Sequence, residues 1–143
     1  MSTLTIIYSR SRDIGTLAIR AASWWGPWSH CGIVTPHNTV IEARATKGVI
    51  ETPLREFEAR VSACVVVRRE CPNPLAAVVF ALGQKGKDYD WGAVLGIPFR
   101  EPWEHPGRWF CSELVEAAFI AGGRRRFEPD AWRITPTQSW VTL

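Results

Sequence analysis

No stretch of this 143-residue chain reaches the roughly 18 consecutive apolar residues that a membrane-spanning helix needs, so stable membrane insertion is not expected. The opening Met1-Ser2-Thr3-Leu4-Thr5-Ile6-Ile7 has no basic residue ahead of its apolar stretch. A signal peptide is therefore not expected, and a cytoplasmic location is. Internal repeats and low-complexity segments are lacking, which excludes solenoids and repeat arrays. Cysteine is sparse, at four residues (Cys31, Cys64, Cys71 and Cys111), and no C-x2-C or H-x3-H pair occurs. That spacing gives no structural zinc site, no metal or other cofactor is implied, and the cysteines are expected as thiols. A large excess of one charge is also missing. The net charge is +3, with Arg scattered along the chain, so nucleic acid is not an expected partner.

What is present is the composition of a globular domain: 46% hydrophobic and 22% charged residues, over a length typical of one domain spanning 1–143. Eight tryptophans are many for this length. Trp24, Trp25 and Trp28 fall in one short loop, and Trp103 and Trp109 in another. Capping a small core explains them more simply than a wall for an apolar or sugar-like ligand.

The pattern along the chain predicts strands at 3–9, 29–34, 39–44, 48–52 and 62–68, rich in β-branched residues. Residues 29–34 and 39–44 read as a hairpin turning at Pro36-His37-Asn38. Helices are predicted at 14–22, at 53–60 with Pro53 in the first helical position, at 74–84, at 110–121 and at 135–142. In the 110–121 helix, Phe110, Leu114, Ala117, Ala118 and Ala121 make the apolar stripe, with Cys111 at its edge. Residues 96–108 form a Pro/Gly-rich loop, and Arg124-Arg125-Arg126 reads as a solvated turn. The fold class is α+β, an antiparallel sheet packed against helices.

Three residues suggest chemistry. Cys111 falls at a helix N-terminus, where unpaired N–H groups and the helix dipole stabilise a thiolate and can bind an oxyanion. Taken alone, it reads more readily as a small buried hydrophobe. His30 sits in a strand, where the sheet holds it in place. His37 lies in a turn and reads as solvated, while His105, in the loop before Cys111, stays a second candidate base. Glu42 favours His30. Aligning the apolar faces of the hairpin puts His30 and Glu42 on one face, directly opposite or one diagonal step apart. A carboxylate there would fix the imidazole tautomer and leave the other nitrogen for a thiol. Gly32, beside His30, leaves room on that face for another chain or a substrate. Metal binding is the weaker use of these residues, because His30 and Cys31 are adjacent in a strand and point to opposite faces. Thiol, imidazole and carboxylate together make a Cys–His–acid set for nucleophilic acyl transfer.

The segments Ser29-His30-Cys31-Gly32-Ile33-Val34, Val40-Ile41-Glu42-Ala43, Gly86-Lys87-Asp88-Tyr89-Asp90-Trp91 and Phe110-Cys111-Ser112-Glu113-Leu114-Val115 resemble the NlpC/P60 superfamily of papain-like cysteine peptidases and amidases. The order, with His30 before Cys111, is that of the circularly permuted branch, the YaeF/YiiX-like amidases. The resemblance implies a permuted papain-like fold. It implies Cys111 as nucleophile, His30 as base, Glu42 as the orienting residue, and Tyr89 near the substrate or oxyanion. The implied substrate is a peptide, peptidoglycan-like or other acyl compound, with amide cleavage in peptidoglycan stem peptides the leading expectation. Lipid acyl transfer of the lecithin–retinol acyltransferase type is the alternative. Its usual Asn-Cys-Glu-His motif is not matched by Phe110-Cys111-Ser112-Glu113. A binding module that keeps the fold without the activity is the third reading.

Overall fold

The computed structural model describes residues 1–11, 26–91, 107–127 and 134–141. The helix expected at 14–22, Trp24, Trp25, Trp103, His105 and most of the 96–108 loop lie outside the described residues.

Five strands form one antiparallel sheet: β1 (Thr3–Arg10), β2 (His30–Val34), β3 (Thr39–Arg44), β4 (Gly48–Pro53) and β5 (Ala63–Glu70). Their order across the sheet is β4-β3-β2-β1-β5, so the first strand lies between β2 and the edge strand β5. Four described helices complete the α+β architecture: α1 (Leu54–Arg60), α2 (Pro74–Gly83), α3 (Cys111–Ala121) and α4 (Pro136–Val141). Each strand turns alternate side chains to opposite faces. On one face, Leu4, Ile6, Tyr8, Cys31, Ile33, Ile41, Ala43 and Val49 join Ala77 and Ala81 of α2 and the buried side of α3 in the main core. On the other, Ile7 and Val40 pack with Phe57 of α1 in a smaller cluster.

Most boundaries differ from the sequence expectation by one or two residues, and two of the differences have a physical reason. Pro53 is not the first helical residue: it ends β4, opposite Thr39, and stands at the N-cap of α1 with extended ψ of 136°. The strand read at 62–68 runs on to Glu70, because Thr3 of β1 supplies a partner there. At α2 the local signals hold, with Pro74 in the first turn and the Asn73 side chain accepting from the Ala76 N–H at 3.0 Å.

The stripe expected on α3 is rotated. Its buried side is Cys111, Leu114, Val115, Ala118 and Phe119, while Ala121 is exposed. Phe110 is the N-cap, with φ −86° and ψ 152°, so it is not on the helical lattice from which the spacing was counted. Arg126 does not lie in a solvated turn. Its guanidinium is fully covered, donates to Glu116 and to the Ser139 hydroxyl, and lies 4.1 Å from the Phe119 ring centroid. Ser139 in turn donates to Glu116, so of the Tyr8–Ser139 pair at 3.0 Å Tyr8 is the donor. This network fastens α4 to α3 and to the sheet.

The β2–β3 hairpin positions the site. The Asn38 N–H donates to Thr35 O, and Asn38 follows in the left-handed region at φ 57°; the Thr35 N–H then donates to Thr39 O. This is a tight turn followed by a bulge residue that restores strand pairing. The register pairs Ile33 with Ile41 and Val34 with Val40, odd with odd as the apolar faces require. The paired ladder covers those two positions. Continuing the register puts Gly32 opposite Glu42. A Cβ on Gly32 would lie 2.6 Å from Val40 Cγ1 and 2.9 Å from Ile41 O. The space at Gly32 is therefore taken by β3 itself, not left for a second chain or a substrate.

Gly32→Ala is expected to cost about 1–3 kcal/mol of stability, since the close backbone oxygen cannot move aside as a side chain would. A thermal melt checks this; an unchanged Tm would show that the hairpin accommodates the methyl group freely.

Candidate active site

His30 and Glu42 meet one diagonal step apart across the hairpin. His30 Nε2 lies 2.6 Å from Glu42 Oε2. The Glu42 side chain is fully buried, so each of its oxygens needs donors. Oε1 accepts from the Thr52 hydroxyl at 2.7 Å, and Oε2 also accepts from Arg60 Nη2 at 2.6 Å. Thr52 comes from β4 and Arg60 from the end of α1. The His30 ring stacks on Phe57, with centroids 6.0 Å apart and planes 21° apart. With Nε2 committed to the carboxylate, Nδ1 is the nitrogen left for the Cys111 side chain, which acts on the His30 ring.

Cys111 is the first residue of α3. The first intrahelical bond is Leu114 N–H to Phe110 O, so the N–H groups of Cys111, Ser112 and Glu113 precede the ladder. Glu113 reaches back to the Phe110 N–H at 3.1 Å, and the Ser112 hydroxyl donates to Ile134 O. These bonds fix the start of the helix. Cys111 is wholly buried, not at the edge of an apolar stripe. It shares the main core with Cys31, and Cys31 and His30 are the groups that act on its thiol.

The electrostatics follow from these contacts. Burial pushes the Glu42 carboxyl up, but hydrogen bonds from His30, Arg60 and Thr52 outweigh it and bring it down to about 2. Burial works against a charged His30, yet Cys111 and Glu42 together raise it to about 9. Burial also works against a thiolate at Cys111; the Cys31 thiol, the His30 ring and the Cys31 backbone N–H bring it down to about 5. Cys31 is driven well above its ordinary value by burial and by Cys111. At neutral pH the site therefore holds a thiolate, an imidazolium and a carboxylate in sequence, with Cys31 as a neutral thiol. Cys111 and His30 titrate as a pair. Such an arrangement can attack a carbonyl carbon and hand a proton to a leaving group.

The family model of the permuted papain-like amidase enzymes (YaeF/YiiX, C92 family) matches residues 5–127, which include His30, Glu42 and Cys111. The chain belongs to that family. It is thus a hydrolase of a cysteine peptidase and amidase family, with the permuted papain-like fold. Among solved structures, the crystal structure of YiiX from Escherichia coli O157:H7, described as a metalloprotein, is similar. It is 26% identical, with a TM-score of 0.65, over 89% of this chain and 69% of that one. No curated protein matches the chain.

In this C92-family chain, no three His, Cys, Asp or Glu side chains among the described residues converge as a metal site would require. His30 and Glu42 are bonded to each other, so the donor set does not fit a metal and no step is drawn through one. Tyr89 is buried and close to the site. It bridges to Trp109, and its ring lies edge-on to Phe110 at 6.1 Å. Burial and the nearby Cys111 push its hydroxyl well up, so it stays neutral. His37 is exposed in the hairpin turn. Of the described tryptophans, Trp28, Trp109 and Trp140 pack against the core, while Trp91 is 46% exposed.

Sequence reasoning missed Thr52, Arg60, Phe57 and Cys31. Thr52 was within reach of the alternation argument, since β4 pairs Ile50 with Glu42 and Thr52 shares that face. Arg60 and Phe57 come from a helix whose docking no local pattern reveals. Cys31 was set aside because neighbours in a strand point apart. Both His30 and Cys31 nonetheless act on Cys111.

The Glu42 carboxyl falls from its ordinary 4.5 to about 2 on folding. Its contribution is complete above about pH 4.5 and is lost as pH falls toward 2. Urea unfolding between about pH 2 and 6 should show this acid loss, and Glu42→Gln should flatten it; an equally steep loss in that variant would assign it to other groups.

Proposed function

We propose that this hydrolase cleaves an amide bond by Cys–His–Glu nucleophilic catalysis, in a peptide substrate of the peptidoglycan stem-peptide kind or a related amide. The observation that supports it best is His30 held at 2.6 Å by a buried, triply bonded Glu42, with Cys111 acting on the same ring. A carboxylate so placed orients the ring and stabilises the imidazolium without taking its proton.

In the proposed reaction the Cys111 thiolate attacks the amide carbon. The carbonyl oxygen becomes an oxyanion, stabilised by the Cys111 backbone N–H at the head of α3. Tyr89, kept neutral, is proposed as a further donor to substrate or oxyanion. The imidazolium of His30 protonates the amine as the C–N bond breaks, which leaves an acyl thioester on Cys111. Neutral His30 then takes a proton from water. The resulting hydroxide equivalent attacks the thioester and releases the carboxylic acid. The thiolate returns and the imidazolium re-forms.

Cys111→Ala and Cys111→Ser should reduce release of amine from stem-peptide substrates, followed by mass spectrometry, by about a thousandfold or more. The Tm of both variants should stay close to that of the parent. The pH profile of kcat/KM should be bell-shaped, with limbs near 5 and 9 set by the Cys111–His30 pair. Undiminished turnover without the thiol would remove the proposal.

A further inference from the structure

Three buried side-chain atoms among the described residues have no hydrogen-bond partner in the protein: Ser9 Oγ, Trp28 Nε1 and Arg69 Nε. Trp28 packs against the main core, and Arg69, paired with Leu4, lies on that same side of the sheet. Ser9 is different. It is 1% exposed and stands directly opposite His30 in the β1–β2 register. Direct partners in an antiparallel pair turn their side chains to one face, with Cβ atoms about 4.5–5.5 Å apart. A hydroxyl on β1 therefore stands beside the imidazole, while Glu42 holds the ring from the β3 side.

A buried hydroxyl without a partner destabilises a fold, and the neighbours of Ser9 do not relieve it. The Ser29 N–H and hydroxyl both donate to the Ser9 carbonyl, at 3.0 and 3.4 Å, and not to its side chain. Around His30 on this face, Thr52, Arg60 and the ring itself are all committed to Glu42. On the other side of Ser9, its β5 partner Cys64 is exposed. Ser9 Oγ is the buried, uncommitted donor and acceptor next to the ring.

We infer that Ser9 is a positioning residue for the hydrolytic water: its hydroxyl and His30 Nδ1 hold that water between them while the acyl group is on Cys111. This rests on the reading of Cys111 and His30 given above and deepens it. A buried water needs about two to four polar partners, and the hydroxyl and the ring nitrogen supply two. Each accepts one O–H of the water, so a lone pair of the water oxygen is left to face the thioester carbon. One proton of the water passes to Nδ1 as its oxygen bonds to that carbon. The C–S bond then breaks, its electron pair returns to Cys111 as the thiolate, and the carboxylic acid leaves. Ser9 neither gains nor loses a proton.

The test uses p-nitrophenyl acetate, which acetylates a thiolate and releases p-nitrophenolate. Acetyl-Cys111 is followed by peptide mass spectrometry, with exposed Cys64 as the internal reference. Ser9→Ala should form acetyl-Cys111 at the parental rate and lose it about tenfold to a hundredfold more slowly, the order that misplacing a reacting group costs. Hydroxylamine attacks the thioester without a placed water, so it should clear the acetyl group equally from the parent and from Ser9→Ala. Ser9→Thr keeps the hydroxyl and should restore hydrolysis; should threonine fail to fold, the hydroxylamine comparison decides. The Tm of Ser9→Ala should equal or exceed that of the parent, because no bond within the protein is lost. Parental hydrolysis in Ser9→Ala overturns the inference. So does a lowered Tm with acetylation and hydrolysis slowed alike, which would make Ser9 a packing residue. His30→Ala is run alongside. If it slows both steps while Ser9→Ala slows neither, only the role of Ser9 falls; if it changes neither step, or the parent acetylates Cys111 no faster than Cys64, the thiolate–imidazole reading itself fails.

Discussion

The buried carboxylate of Glu42 is the constraint on which the site depends. It has no water to solvate it, so β2, β4 and α1 must each deliver a donor: His30, Thr52 and Arg60. A hydrogen bond to a charged group contributes about 1.5–3 kcal/mol, whereas losing a partner of a buried charge costs about 3–5 kcal/mol. The three elements are thus held in register by one side chain. The same interaction fixes the imidazole, and through it the state of Cys111. Stability and ionisation are two consequences of one cluster.

The hairpin geometry is what lets that cluster form. Gly32 allows β3 to approach closely, and the bulge residue Asn38 sets the register. His30, at the start of β2, bonds Glu42 one diagonal step across the hairpin, while Cys31, on the opposite face, lies in the main core with Cys111. On the far side of the core, Tyr8, Glu116, Arg126 and Ser139 satisfy one another and anchor α3 along its length. Cys111 is thereby carried on a helix fixed at both its start and its flank.

Much of this was legible in the residues. Period-two runs of β-branched side chains marked the five strands, the helix expected at 74–84 is α2, and matching the apolar faces of one hairpin placed His30 beside Glu42. These features are local, governed by alternation, capping and turn chemistry over a few residues. Where the local pattern was read too literally it misled. Counting Phe110 into the α3 stripe rotated the helix, and treating three successive arginines as solvated overlooked the acid and the aromatic ring that bury Arg126.

The sequence by itself determined the elements, the pairing parity of the hairpin and the residue types able to act as thiol, imidazole and acid, because each follows from spacing along the chain. Only the tertiary structure decided that Arg60 and Thr52 complete the carboxylate, that Phe57 supports the imidazole, and that Cys31 shares the main core with Cys111. Those contacts join residues far apart in sequence or on nominally opposite faces. They arise from how helices dock on a sheet, a choice set by the burial of the whole core and not by any one segment.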